Sequence, residues 1–384
     1  MKQLAAALLA AAFLILPARA AEQSAAGAAA GAPAVDAGAA VLMEKETGTI
    51  LYEQNPHDKL EPASVTKVMT LLLVLEAVDD GRLALDDMVS VSAHAASMGG
   101  SQVYLKEGEQ MSVDDMLKAV AVVSGNDAAV ALAEHLAGSE EAFVSLMNQR
   151  AAELGMADTC FVNCTGLPAA GHLTSAHDIA VMSRALLQHP RIRDYTTIWM
   201  DSIRGGQFQL ANTNKLIRFY EGATGLKTGS TDSAGYCLSA SAEREGMELI
   251  AVVMKSPTSA QRFESAKAML TFGFANYTLV DVRPGEALPP VDVALGVVDQ
   301  VQPVLGQSSR ILVDKSQINE VTTAVRLTEG VEAPVEAGQK LGELVVSVAG
   351  EERQTIPLVA AQAVERITLP GIFLRLLEQL FMAG

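Results

Sequence analysis

Ser64 and Lys67 stand three residues apart in the segment Pro62-Ala63-Ser64-Val65-Thr66-Lys67. A serine hydroxyl becomes an effective nucleophile only when a neighbouring base takes its proton. Positions i and i+3 of a helix share a face, so the Lys67 amine can lean against the Ser64 hydroxyl. A lysine accepts that proton only when neutral, and burial or a second cation lowers its pKa to that end. Two further groups follow in order, Ser124-Gly125-Asn126 and Lys227-Thr228-Gly229. They offer a second hydroxyl, an amide and, in Lys227, the second cation. Pro62 suits the start of a helix, whose free N–H groups and dipole would face a developing oxyanion. A lone Ser/Lys pair is commonplace on ordinary helices; the ordered triple gives it weight.

These groups need a scaffold. Ala40–Glu44 and Thr49–Tyr52 read as a hairpin around Glu46-Thr47-Gly48. The helix expected from Ser64 continues through Val68–Leu75, apolar almost all round, which predicts a central buried helix. Gly81 is its candidate terminator. Ser112-Val113-Asp114-Asp115 resembles a capping box for a helix that runs through Met116–Val123 into the second group. Asp127 opens another helix to about Leu136, so Ser124-Gly125-Asn126 falls in a short inter-helix turn. Ser139 and Ser175 cap two more helices. From Gly225 the pattern turns to strands. Lys227-Thr228-Gly229 lies at the start of one, Tyr236–Ala242 and Met247–Met254 form two more, and an amphipathic helix follows over Ser259–Phe272. The result is an α+β catalytic domain over residues 38–278, an antiparallel sheet with helices.

Residues 279–368 carry short valine-rich runs punctuated by proline and read as a small all-β domain. In residues 369–384, Ile372, Phe373, Leu376, Leu377, Leu380 and Phe381 recur at helical spacing. That amphipathic helix is too short to span a bilayer. It lies in a membrane interface, or it packs on the β-domain or a partner; one Arg and one Glu give it no basic face.

A chain of 384 residues accommodates two domains. Its formal charge is -17, and 26 basic against 45 acidic residues remain if the leader is removed, or -19. Such acidity argues against nucleic acid as a partner. Lys2, the apolar run Leu4–Leu16 and the A-x-A pattern at Ala18-Arg19-Ala20 predict a signal peptide over residues 1–20, with a retained anchor as the alternative. Residues 21–37 read as a flexible Ala/Gly-rich linker. Cys160, Cys164 and Cys237 leave at least one thiol unpaired in an exported protein, and Cys160 and Cys164 are spaced for a local pair. Cys237, near the third group, reads as a buried inert thiol. The six histidines, His172 and His177 among them, lack metal-ligand spacing, so no metal is expected.

The ordered triple S-x-x-K, S-x-N, K-T-G is the signature of penicillin-binding proteins and serine β-lactamases. With Pro62–Thr70, Ala234-Gly235-Tyr236-Cys237-Leu238, Arg262-Phe263 and Phe272-Gly273-Phe274, the chain resembles the serine-type D-alanyl-D-alanine carboxypeptidases. These are low-molecular-weight penicillin-binding proteins of peptidase family S11, and the resemblance spans nearly the whole chain. It implies a penicillin-binding/β-lactamase-like catalytic domain, a small β-domain and a tail that anchors to the membrane surface. It implies removal of the terminal D-alanine from peptidoglycan stem pentapeptides at the outer face of the cytoplasmic membrane, without metal or cofactor. β-Lactams would acylate the same serine.

Residue by residue, Ser64 would be the nucleophile and Lys67 its base. Ser124 and Asn126 would assist proton transfer and hold the substrate amide. Lys227, Thr228 and Gly229 would bind substrate, with Lys227 supplying charge and Thr228 a hydroxyl near the carboxylate. The N–H groups of Ser64 and Ser230 would form the oxyanion hole. Ser230 is smaller than the residue often found there. Arg262 is a candidate for the terminal carboxylate or its supporting network, or for a structural ion pair. Two rivals stand beside this reading. One is a β-lactamase, although no convincing deacylating glutamate separates the second and third motifs, Glu153 lying in an apparent helix. The other is a non-catalytic wall-binding or morphogenesis protein. Transpeptidase and endopeptidase activities stay open.

Overall fold

The computed structural model describes residues 31–382. The expected signal peptide and residues 21–30 of the linker lie outside the described residues. The linker's last residues are pinned: Asp36 N donates to Ser265 Oγ at 3.0 Å, and Ser256 Oγ donates to Asp36 O at 2.8 Å. The expectation of a flexible stretch through residue 37 therefore does not hold at its end.

Five antiparallel strands build the central sheet, in the order Ile50–Gln54, Ala39–Glu44, Met247–Ser256, Gly235–Arg244, Ala223–Thr231. Both faces are covered. Ala40, Leu42, Leu249, Ala251 and Val253 pack towards the helix Ser259–Asn276. Val41, Met43, Ile250, Val252 and Met254 join the larger core with the other helices. A strand buried on both faces reads as a continuous apolar run rather than an alternating one. That explains the poor alternation across residues 236–254. The strand Ala223–Thr231, which carries the third motif, is an edge: among the described residues no strand pairs with its outer side.

The helix Lys67–Asp79 runs through the larger core, buried from Lys67 to Leu75. The serine caps form as their spacing predicts. Ser112 Oγ accepts from Asp115 N at 3.2 Å, Ser139 Oγ from Ala142 N at 3.1 Å and Ser175 Oγ from Asp178 N at 3.2 Å. Helices Val113–Val123 and Asn126–Ala137 leave only Ser124 and Gly125 between them. A ribbon of Met200–Ile203 and Phe208–Ala211, which the sequence pattern did not announce, leads into the segment facing the third motif.

Beyond the helix Ser259–Asn276 the chain is built of β-strands up to residue 360, interrupted by the 3₁₀ helix Lys315–Glu320, around two small cores. Strand Tyr277–Asp281 pairs with Arg310–Asp314, and a four-stranded sheet follows. Arg310 ties this region to two of the three hairpin turns of the central sheet, donating to Glu46 Oε2 at 2.7 Å and to Gly246 O at 2.8 Å. The fold is thus the α+β catalytic domain followed by an all-β part that the sequence implied. The final helix is Leu369–Met382, and no described helix is long and apolar enough to cross a membrane.

The buried helix is the least tolerant element. Leu72 is fully buried, and Leu72→Ala is expected to destabilise the protein by about 3 kcal/mol, since a cavity adds to the lost transfer energy. Denaturant unfolding of both proteins measures it.

Candidate active site

Ser64 lies in a single 3₁₀ turn, Ala63–Thr66, and the α-helix starts only at Lys67. The helix expected to start at Ser64 therefore begins three residues later. Ala63 sits at φ 47°. Gly166 packs so tightly on it that a Cβ would lie 1.8 Å from Ala63 O. The turn is wedged in place by its neighbours. The tighter winding serves the pair, because i and i+3 eclipse in a 3₁₀ turn. Lys67 Nζ lies 3.0 Å from Ser64 Oγ.

Lys67 is fully buried. Its Nζ also donates to Asn126 Oδ1 at 2.6 Å and to Thr165 O at 2.7 Å. Burial lowers its pKa to about 7, against the opposing pull of Cys164 and Asp127. Lys227 is buried as well, its Nζ donating to Thr228 O at 3.0 Å. Burial, then repulsion from Lys67 and Arg262, holds it well below the usual range. Desolvation is therefore the main reason that Lys67 is neutral.

The second motif closes the cleft from the other side. Ser124 ends its helix at φ 66°, and its buried Oγ has no partner among the described residues. A non-glycine residue held in the left-handed region marks a strained, over-determined position. Asn126 is fixed at both ends of its amide, since Nδ2 donates to Gly99 O at 2.6 Å while Oδ1 meets Lys67. The buried Asp127 carboxylate accepts Val103 N and Leu105 N, each at 3.0 Å, and so holds the loop above the cleft.

The third motif reaches Ser64 through backbone. A Cβ on Gly229 would lie 2.8 Å from Ser64 N and 2.9 Å from Pro62 O and Val65 N. Only glycine lets the strand pass the turn this closely. The exposed Ser230 follows Gly229 directly in the strand. Thr228 Oγ1 donates to Thr213 Oγ1 at 2.8 Å, a partner none of the motifs contains.

Arg262 is buried, and its Nη1 donates to Gly229 O at 3.0 Å and Cys237 O at 3.2 Å. Its guanidinium packs between Tyr236 and Phe263, with ring centroids at 5.5 and 4.7 Å. No described acid pairs with it: it donates to the main chain that frames the third motif and, through Nη2, to Ser259 Oγ at 3.3 Å. The three cysteines are free, Cys160 and Cys164 included. Burial pushes the Cys237 thiol up to about 11, which keeps it inert.

Sequence reasoning missed the loop over Lys67. Thr165 supplies a carbonyl, and a carbonyl has no signature in side chains. His172 braces the same region. Its Nδ1 accepts from Val162 N at 3.0 Å, and its Nε2 donates to Thr66 Oγ1 at 2.8 Å, Thr66 in turn donating to Ala63 O at 2.9 Å. Burial lowers its pKa to about 4, so it stays neutral.

The contact at Gly229 generates a test. Gly229→Ala is expected to slow acylation of Ser64 by penicillin at least about 100-fold, because the turn and the oxyanion donors must part. Intact-protein mass spectrometry follows the adduct, and acylation at the wild-type rate contradicts the expectation.

Residues 26–258 match peptidase family S11, described as D-alanyl-D-alanine carboxypeptidase, and residues 282–366 match the penicillin-binding protein 5 C-terminal domain. The D-alanyl-D-alanine carboxypeptidase DacF of Bacillus subtilis (strain 168) is 41% identical over 336 residues, 86% of each chain. The crystal structure of penicillin binding protein 5 from Haemophilus influenzae is similar at TM-score 0.78 and 31% identity, covering 87% of this chain and 99% of that one. Penicillin-binding protein D2 from Listeria monocytogenes, solved in its ampicillin-bound form, is similar at TM-score 0.58 and 34% identity, covering 62% of this chain and 98% of that one. On this footing the chain belongs to the D-alanyl-D-alanine carboxypeptidase family, peptidase family S11.

Proposed function

We propose that the chain removes the terminal D-alanine from peptidoglycan stem pentapeptides through an acyl-enzyme on Ser64. The observation that carries the reading is the buried Lys67, whose Nζ lies 3.0 Å from Ser64 Oγ and whose pKa is lowered to about 7. Neutral Lys67 takes the Ser64 proton as Oγ bonds to the penultimate D-alanine carbonyl carbon. The Ser64 and Ser230 N–H groups receive the oxyanion. The C–N bond then breaks, the proton passes to the leaving amine with Ser124 as the intermediate hydroxyl, and D-alanine departs. Water repeats the attack on the ester and restores Ser64. Asn126 holds the substrate amide, while Lys227, Thr228 and Gly229 receive the terminal residue.

A β-lactam presents the same carbonyl and stays on Ser64, in keeping with the ampicillin-bound Listeria relative. The penicillinase reading is weaker. Glu153 is exposed and bonded to Arg150 at 3.0 Å, and the Asn163–Leu167 loop over Lys67 carries no carboxylate to activate a deacylating water. Peptide hydrolysis rather than mere binding is favoured by a base held neutral, which a binding protein would not need.

Export by the leader and attachment of the tail to the membrane surface complete the proposal. Leu369, Phe373, Leu374 and Phe381 are 60–83% exposed. Arg375 turns away from them, donating to Asp299 Oδ1 at 2.5 Å and Val297 O at 2.6 Å. Attachment would therefore rest on apolar burial in the interface.

Three outcomes test this. D-Alanine release from a stem pentapeptide is expected to depend on Ser64, with Ser64→Ala losing at least about 10⁴-fold; persisting release in that variant overturns the assignment. The release rate is expected to fall as pH drops through about 7 and to level off above it, because protonated Lys67 has no lone pair for the Ser64 proton. Residues 21–384 are expected to co-sediment with phospholipid vesicles in high salt, and residues 21–368 are expected to stay in solution.

A further inference from the structure

Lys67 Nζ faces three oxygens, and their identities decide what it can do. A neutral amine has two N–H bonds and one lone pair, tetrahedrally arranged. Asn126 Oδ1 at 2.6 Å and Thr165 O at 2.7 Å are pure acceptors and take the two N–H groups. The third direction, towards Ser64 Oγ at 3.0 Å, is left to the lone pair. Without the Thr165 carbonyl, the amine is free to turn an N–H towards Ser64, and a donor there cannot act as a base. Asn126 belongs to the second motif. Thr165 belongs to none of the three.

One side chain fixes that carbonyl. Asn163 Oδ1 accepts from Thr165 N at 3.1 Å, Thr165 Oγ1 at 3.1 Å and Gly166 N at 2.7 Å. Its Nδ2 donates to Leu167 O at 2.9 Å. On either side of Thr165 the loop is tied outward: Thr70 Oγ1 donates to Cys164 O at 2.7 Å and Cys164 N to Glu140 Oε1 at 3.1 Å, while Gly166 packs on Ala63.

Three donors converging on one side-chain oxygen ordinarily suit a carboxylate, which is what Asp127 provides on the other side of the cleft. At position 163 a carboxylate would add a negative charge beside Lys67. The charged and titratable groups already around Lys67 are Asp127, Lys227 and the Cys164 thiol, with Glu140 behind Cys164 and His172 neutral behind Thr66. A further opposite charge favours the ammonium form, which has no lone pair.

We infer that Asn163 is a positioning residue for the Ser64–Lys67 pair: its uncharged amide clamps the Thr165 carbonyl onto Lys67 so that the amine's lone pair faces Ser64. The inference rests on the carboxypeptidase reading for its substrate but not for its geometry.

The test is the pH profile of D-alanine release by the full chain and two variants, with thermal unfolding alongside. Asn163→Ala removes the clamp. It is expected to lower kcat about 10- to 100-fold with KM within about threefold, since a small misplacement of a reacting group costs that much. Asn163→Asp keeps the acceptors and adds the charge. It is expected to restore the high-pH plateau to near wild type while moving the acid limb up by about 0.5–1 pH unit. A kcat within about twofold of wild type in Asn163→Ala, or an unmoved acid limb in Asn163→Asp, overturns the inference. Asn163→Asp is nearly isosteric and carries the test alone if the alanine variant does not fold. If the wild-type protein releases no D-alanine, the carboxypeptidase reading is what fails. The same limb, read from penicillin acylation of Ser64, then decides the inference separately.

Discussion

An uncharged lysine in a dry interior is the constraint around which this molecule is arranged. An ammonium ion taken out of water costs several kcal/mol unless it is paired and hydrogen-bonded. Here Lys67 is fully buried and no carboxylate among the described residues bonds its amine, so the cheaper solution is loss of the proton. That requires a fully buried helix to carry the lysine. It requires a sheet covered on both faces to keep that helix dry, and three converging chain segments to close around it. The all-apolar helix Lys67–Asp79 and the two-faced burial of residues 247–254 serve the same end.

The segments meet through main chain. Gly229 lies against the Ser64 turn and Gly166 against Ala63, each at a distance that excludes a Cβ. Arg262 reaches the cleft only as a donor to two carbonyls. Its Nε is buried without a partner among the described residues. A guanidinium held in that state, against two aromatic rings, braces the strand.

Side-chain chemistry was legible in the sequence, and backbone chemistry was not. Ser64, Lys67, Asn126 and Lys227 announce themselves by type and spacing. Ser112, Ser139 and Ser175 announce their helices by the oxygen that meets the third N–H along. The Thr165 carbonyl, the left-handed turn at Ser124 and the carbonyls claimed by Arg262 carry no such mark, because any residue type has a carbonyl. The start of the first helix was misplaced for a related reason. A 3₁₀ turn differs from α in which backbone groups pair, and here that pairing is set by Gly166 pressing from a loop a hundred residues away. The strand Tyr277–Asp281 likewise follows its helix without a break and finds its partner, Arg310–Asp314, beyond three intervening strands.

The third motif occupies an edge strand whose outer side has no strand partner among the described residues. An open edge offers alternating N–H and C=O groups, and an extended chain laid along it becomes a sixth strand. Such pairing reads the extended shape of the backbone rather than the identity of each side chain, because every residue presents the same amide. A visitor need only be extended, carry a carbonyl at the Ser64 level and end within reach of Thr228. The edge thereby makes the cleft tolerant of variation further up the visiting chain. It also leaves the cleft open to a small rigid molecule that imitates one stretch of strand.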